Sequence, residues 1–515
     1  MATPSEKLAT SLDALRVIQE KGIVAIKGNK LSRTHKERLL KSGFIKEVYK
    51  GWYMVTPPNE TKGDSTSWYS SYWSFTAQVL EDMYGKNWCI SPEQSLLLLA
   101  GNWTVPQQLI IKSPKASNNK TDLPHGTSLF HIKSPLPSKN EIIENDGIRM
   151  LSLSAALIQA SPSTFTQNPT DVRTALSLIQ DSSQVLTLLL EGGQSIVAGR
   201  LTGAFRNINK DRIANNILNA MDAAGYTVRE SDPFNNKIAL SLSSRDRSPY
   251  GNRVRLMWHQ MRDMVIKHFP KQPGIPRSKK KYMEMIEKIY VTDAYHSLSI
   301  EKYKVTPELI ERVRKGTWDL QENEADRKQR DAMAAKGYWE AFQRVERSIE
   351  KILAGENAGE VVDIDHGDWY RELFGPSIAA GFLKPSDLAG YRNHPVYISQ
   401  SKHVPLNREA VRDAMPVLFE LIKQEPEASV RAVLGHFIFV FIHPYMDGNG
   451  RMGRFIMNAM LASGGYPWTV IPVQERMAYM QALEQASVNQ NIEPFAKFLG
   501  HLVNEGLKGT PVAKI

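Results

Sequence analysis

The sequence predicts a multidomain, mainly α protein. A winged helix comes first, a mixed α/β domain follows, and an all-α domain occupies the C-terminal part. Three observations carry this reading. A chain of 515 residues exceeds what one ordinary core holds. Residues 1–56 run through helical patterns into a strand–turn–strand. Residues 429–463 hold two successive helical patterns, the first apolar almost all round, as in a helix at the centre of a helical domain. Hydrophobic residues make up 42% and charged residues 23%, the balance of a globular chain.

The first segment, 1–60, reads helix, helix, helix, hairpin. Leu8, Leu12, Leu15 and Ile18 recur at helical spacing. Ser32 is an N-cap for a helix over 33–42, and Gly43 ends it. Residues 44–48 and 51–55 then flank Tyr49-Lys50 as two strands and a turn. Residues 1–56 carry eleven Lys/Arg against five Asp/Glu, a large share of a formal net charge of +10. In a helix-turn-helix the recognition helix enters the major groove while cations take phosphates. Arg33, Lys36 and Arg38 on the helix and Lys50 on the wing are therefore the DNA-binding candidates. The alternative is a solvated basic helix in a protein-docking module.

Residues 61–240 read as a mixed α/β regulator or interaction domain. Strands are expected at 107–111 and 128–132, and helices over 162–198 and 210–225. Together with the winged helix, this segment resembles antitoxin regulators of the AbiEi type, through Gly51-Trp52-Tyr53 closing the wing and Ser91-Pro92-Glu93-Gln94-Ser95 opening a helix. Residues 241–282 form a basic linker and helix. Over 245–281 there are eleven Lys/Arg, two acids and Pro249, Pro270, Pro273 and Pro276. A single cysteine, Cys89, excludes a disulfide framework within the chain and a Cys-rich zinc site. The longest apolar run, Phe437 to Ile442, is far below the ~20 residues of a membrane span. No secretory pattern opens the chain. A cytoplasmic protein with no membrane partner is expected.

The chemistry is concentrated in 429–465. The apolar helix stops at His443, because Pro444 disfavours helical geometry before it. Tyr445-Met446-Asp447-Gly448-Asn449-Gly450 follows, and a second helix runs from about Gly450 to Ser463, stopped by Gly464-Gly465. Arg451 and Arg454, three apart on one face, open that helix although cations there oppose the helix dipole. An anion resolves the conflict. Glycine-loop amides, free first-turn N–H groups and two guanidiniums make a polyphosphate cradle. Asp447 beside it suits a magnesium ion shared with phosphate oxygens. His443 at the rim is placed to take a proton from a hydroxyl. Each residue also has a plainer reading, as helix cap, turn residue or solvated face.

His443-Pro444-Tyr445-Met446-Asp447-Gly448-Asn449-Gly450-Arg451-Met452-Gly453-Arg454 resembles the Fic signature, HPFx(D/E)GNGRxxR, with Tyr445 in place of Phe. The similarity extends over 283–505. Gly390-Tyr391-Arg392, Val396-Tyr397-Ile398 and His403-Val404-Pro405 are similar to the helix end and β-hairpin flap of the Fic fold. The resemblance implies transfer of AMP from ATP to a Ser, Thr or Tyr hydroxyl of a target protein. It implies His443 as general base, Asp447 as Mg²⁺ ligand, Gly448, Asn449 and Gly450 as anion hole, and Arg451 and Arg454 on the phosphates. It also implies a flap of Val396, Tyr397, Ile398 and Ser399 that docks the target by strand addition. Tyr479 and Leu483 are candidates for the adenine pocket.

Upstream, Ser297-Leu298-Ser299-Ile300-Glu301-Lys302 resembles the family's inhibitory motif, (S/T)xxxE(G/N), with Lys302 departing at the last position. By that resemblance Glu301 pairs with Arg454 and holds the enzyme down. The alternatives are a DNA-binding regulator of toxin–antitoxin type whose Fic domain senses nucleotide, and removal of AMP by the same site. A homodimer is kept as one option for the assembly.

Overall fold

The computed structural model describes residues 3–60, 63–237, 248–317 and 330–515; Arg245 and Arg247, at the start of the basic stretch, lie outside them. Two compact units divide the chain, Met1–Arg253 with Tyr397–Val404, and Val254–Val396 with Pro405–Ile515.

The first unit opens with α1 (Pro4–Gln19), β1 (Ile26–Lys27), α2 (Arg33–Lys41), β2 (Ile45–Tyr49) and β3 (Trp52–Val55). Thr3 and Glu6 close a capping box at α1, and Ser32 caps α2 by accepting from the His35 N–H at 3.2 Å. The sheet order is β1-β3-β2, around Leu15, Ile18, Ile26, Leu39, Ile45 and Tyr53. The helix expected between α1 and α2 is replaced by β1. Gln78 explains the extended chain, because its side-chain oxygen accepts from the N–H groups of Val24 and Ala25 at 2.9 and 2.8 Å.

The DNA-binding candidates fare differently. Arg38 donates to the Lys7 carbonyl at 2.7 Å and to Ser11 Oγ at 2.9 Å, so it fastens α2 to α1 rather than facing outward. Arg33 is exposed but paired with Glu37 at 2.8 Å. The Lys36 ammonium lies 5.6 Å from the centre of the Tyr53 ring. Lys50 is exposed in the turn between β2 and β3.

The rest of the first unit is α3 (Thr66–Tyr84), β4 (Cys89–Ile90), α4 (Pro92–Leu99), β5 (Gln108–Ser113), β6 (Asn119–Asp122), β7 (Ser128–Lys133), β8 (Ile142–Asn145) and β9 (Ile148–Leu151), then α5 (Leu153–Gln159), α6 (Pro162–Gln167), α7 (Pro169–Leu178), α8 (Ser183–Glu191), α9 (Ser195–Asn207) and α10 (Asp211–Ala223). Strands β4, β5, β7 and β6 form one sheet in that order, with β5 and β7 parallel from Gln108↔Ser128. The start of α11 (Pro249–His268) belongs here too, where Arg253 pairs with the fully buried Asp171.

Segment Tyr397–Val404 also belongs to this unit, and it is not the expected β-hairpin. Residues 390–407 hold no strand. The Gln400 N–H donates to Thr66 Oγ1 at 3.1 Å, Thr66 Oγ1 donates to Ser399 Oγ at 3.2 Å, and the Lys402 carbonyl accepts from the Val105 N–H at 3.0 Å. Backbone groups that a hairpin would pair internally are bonded elsewhere, and a strand loses its ladder.

The second unit is helical. After α11 come α12 (Lys279–Ile300), α13 (Pro307–Arg314), α14 (Arg330–Ala354), α15 (Ala358–Ala379), α16 (Arg408–Gln424), α17 (Ala428–Ile442), α18 (Asn449–Ser463), α19 (Arg476–Val488) and α20 (Glu493–Leu507). Helix α18 is the hub, with α14, α15 and α17 packed around it. Helix α17 explains its own apolar sequence: Phe437, Ile438, Phe439 and Ile442 are completely buried, each contributing about 1.5–3 kcal/mol. The basic stretch finds partners here. Arg255 donates to Glu420 at 2.6 Å, and Arg262 grips Glu425 with two bonds of 2.8 and 2.9 Å. Among the described residues no helix is long and apolar enough to cross a membrane.

Candidate active site

The loop between α17 and α18 holds most of the candidate residues. His443 is the residue that ends α17, in left-handed geometry at φ 56. That conformation is strained for a non-glycine residue and turns the ring out of the helix. Its backbone N–H still closes the helix on the Phe439 carbonyl at 2.9 Å. His443 therefore caps the helix through its backbone and leaves its ring for a separate contact. Nδ1 faces the Val440 carbonyl at 3.1 Å. A carbonyl only accepts, so Nδ1 carries the proton and Nε2 keeps its lone pair. Burial, helped by the Arg392 guanidinium, pushes the His443 pKa down to about 4, so the ring is neutral at neutral pH.

Arg392 is a site residue that sequence reasoning named only as part of a helix end. It is 2% exposed. Its Nε donates to the His443 carbonyl at 2.6 Å, its backbone N–H donates to the Pro444 carbonyl at 2.9 Å, and its guanidinium also reaches Leu406. No local spacing pattern announces such a contact across 51 residues.

The motif loop is stapled from inside. Asn449 is buried; its Oδ1 accepts from the Tyr445 N–H at 2.9 Å and its Nδ2 donates to the Tyr445 carbonyl at 2.8 Å. Its side chain is thus spent on the loop, which leaves backbone N–H groups to line the helix start. Tyr445 stacks on Tyr370 at 3.8 Å with 8° between planes, so an aromatic ring is what this position uses. Gly448 has φ 82, and a Cβ there would lie 2.7 Å from the Phe374 ring. Asp447 stands at the rim with 59% of its side chain exposed, 3.6 Å from Arg451.

The two arginines differ. Arg451 is 1% exposed, its guanidinium lying between the rings of Tyr303 and Phe374 at 5.2 and 5.0 Å. Its Nε and Nη2 have no hydrogen-bond partner among the described residues, and neither does Arg454 Nη1. Buried N–H groups in this state are costly unless an acceptor arrives. Arg454 is held on its other side. Nε donates to Ser297 Oγ at 2.8 Å, and Nη2 donates to the Ser297 carbonyl at 3.0 Å and to Glu301 Oε1 at 2.8 Å. Burial works against the Arg454 charge, but the Glu301 carboxylate together with Tyr479 and Tyr338 outweighs it and the pKa rises.

Glu301 sits where an anion belongs. A Cβ built on Gly450 would meet Glu301 Oε1 at 2.4 Å, so the carboxylate lies directly over the first turn of α18. Glu301 caps α12, and Lys302 follows at φ 68. The Tyr303 N–H donates to the Leu298 carbonyl at 3.1 Å and the Lys302 N–H to the Ser299 carbonyl at 3.0 Å. These two bonds make a Schellman cap, which wants glycine or asparagine at the left-handed residue. Lys302→Gly should therefore firm the cap by about 1 kcal/mol, read as a higher melting temperature; an unchanged or lower melting temperature contradicts it.

Tyr479 is no free wall for adenine. It is buried, and its hydroxyl lies 2.8 Å from His436 Nε2. Leu483 is only partly buried.

A family described as Fic/DOC matches residues 368–461. The chain carries a Fic domain. Outside this Fic domain the likeness thins. "Protein adenylyltransferase Fic" of Nematostella vectensis is 26% identical over 277 residues, covering 51% of this chain and 59% of that protein. The protein of the same name from Drosophila willistoni is 32% identical over 131 residues, 25% of this chain and 26% of that one. The chain thus matches less than two thirds of either relative's length. A solved structure of Fic-1 from C. elegans covers 64% of this chain and 92% of its own at 16% identity and a TM-score of 0.37.

Proposed function

We propose that the second unit is a protein adenylyltransferase, moving AMP from ATP to a Ser, Thr or Tyr hydroxyl of a target protein, and that Glu301 restrains it. The observation that carries this reading is the Glu301 carboxylate on Arg454, over Gly450 at the start of α18. An anion of the chain itself occupies a place built for a phosphate. Beside it, unpartnered guanidinium N–H groups of Arg451 and Arg454 offer further donors.

Each residue then has a task. Nε2 of neutral His443 takes the proton of the incoming hydroxyl as its oxygen attacks the α-phosphorus; the bond to the β-phosphate oxygen breaks and pyrophosphate leaves. Backbone N–H groups of Gly448, Asn449 and Gly450, with Arg451, hold the phosphates, and Arg454 takes the γ-phosphate once Glu301 withdraws. Asp447, exposed at the rim and within the same loop, would be the residue to hold a magnesium ion beside the phosphates. Such an ion would neutralise charge on the triphosphate.

The test is transfer of label to protein. With α-labelled ATP and a cell lysate, protein bands should take up label that mass spectrometry reads as AMP on a hydroxyl. Label arriving from γ-labelled but not α-labelled ATP would mean phosphoryl transfer and end the proposal.

A further inference from the structure

Ser297 and Glu301 face Arg454, but the neighbouring His296 faces away from it and is completely buried. Successive helical residues point about 100° apart, so His296 meets a different part of the second unit. Its Nδ1 lies 3.1 Å from the backbone N–H of Val473, and its Nε2 lies 3.2 Å from the Lys514 carbonyl. Chemistry fixes the tautomer. An amide N–H only donates, so Nδ1 accepts; a carbonyl only accepts, so Nε2 carries the proton. One neutral imidazole thereby joins α12 to the 3₁₀ turn Val473–Glu475 and to the 511–514 segment, whose Ala513 is buried.

Two more bonds fix the same stretch of α12. Tyr338 on α14 donates to Asp293 at 2.6 Å, and Arg476 Nε at the start of α19 donates to the Ile300 carbonyl at 2.8 Å. Asp293 and Tyr338 lie close enough to feel the Arg454 charge, whereas the bonds of His296 to Val473 and Lys514 and of Arg476 to Ile300 do not involve Arg454. When a γ-phosphate competes for Arg454, the bonds from Ser297 and Glu301 are the ones it takes. The bonds through His296 and Arg476 remain, and they resist displacement of the helix end. A slide of one residue is 1.5 Å, enough to break the 2.8 Å contact between Glu301 and Arg454.

We infer that His296 is a positioning residue for the Glu301 restraint: its imidazole clasps the end of α12 to the Val473 turn and the Lys514 carbonyl, and so sets the register in which Glu301 reaches Arg454. This inference rests on the proposed adenylyl transfer and its restraint by Glu301.

The experiment is a set of α-labelled ATP self-labelling assays on the full chain, with an ATP titration and a thermal melt for each variant. His296→Ala removes both bonds. His296→Asn keeps an acceptor near the Nδ1 position for Val473 and loses the Lys514 bond, and it covers the case in which His296→Ala does not fold. Loss of the clasp should raise labelling and ATP affinity about fivefold for Ala and less for Asn. On a Glu301→Gly background neither substitution should add anything. A merely structural role would lower the melting temperature on both backgrounds without raising labelling. Wild-type labelling in both single variants, beside an elevated Glu301→Gly, overturns the clasp. An equal rise on the Glu301→Gly background overturns it too, because the effect would not run through Glu301. If Glu301→Gly itself stays at the wild-type level, the restraint fails and the clasp falls with it.

Discussion

Replacing His443 with Ala is expected to abolish transfer of AMP while leaving nucleotide binding intact. The ring offers a neutral nitrogen lone pair at Nε2, since Nδ1 is committed to the Val440 carbonyl. General bases contribute roughly 10²–10⁴-fold to a rate, so labelling should fall by at least about 100-fold. ATP affinity should hold, because the phosphates are met by Arg451, Arg454 and the loop amides. Equilibrium binding of an ATP analogue beside α-label incorporation separates the two effects, and a variant that still labels at a tenth of the parent rate refutes the assignment. The depressed pKa adds a signature. A base must be unprotonated, and with a pKa of about 4 His443 stays so throughout the neutral and mildly acidic range. The rate measured in Glu301→Gly should hold level as pH falls from 8 towards 5, then drop. An ordinary histidine would lose half its base near pH 6.5.

Glu301→Gly is expected to act in the opposite direction, raising both labelling and ATP affinity. A hydrogen bond to a charged group is worth about 1.5–3 kcal/mol. The Glu301 side chain is 33% exposed, so screening places the effect at the lower end, roughly tenfold in affinity. The steric change acts the same way, because the carboxylate that would lie 2.4 Å from a Cβ at Gly450 is gone. The measurement is an ATP titration of both forms; equal affinities would mean that Glu301 and the triphosphate do not share a place.

The central helices were legible because their signals are local. The apolar run of α17, Pro444 after His443 and the glycines before Arg451 lie within about twenty residues, and each acts on its own neighbours. Ser297 and Glu301 were legible only through resemblance: their partner Arg454 is 153 residues from Glu301, and no periodicity reports that pairing. Errors have the same origin. The hairpin flap at Val396–Ser399 was expected only from the resemblance, and the neighbouring backbone bonds to Thr66 and Val105 instead. Arg38 reads as an outward cation on a recognition helix, yet Lys7 and Ser11 claim it. The second winged-helix helix was lost to Gln78, more than 50 residues away. In each case a distant side chain satisfied backbone or charge that local reasoning assigned to solvent or to a near neighbour.

The Glu301 carboxylate lies beside Gly450 and on Arg454, which under the proposed adenylyl transfer has a consequence for how activity responds to its surroundings. If Glu301 and a nucleotide γ-phosphate compete for Arg454 as proposed, the apparent affinity is the intrinsic one reduced to the fraction of molecules with Glu301 withdrawn. That fraction is an adjustable set-point. Whatever shifts it moves the ATP concentration at which the domain switches on, with no change to a residue that touches the reacting atoms.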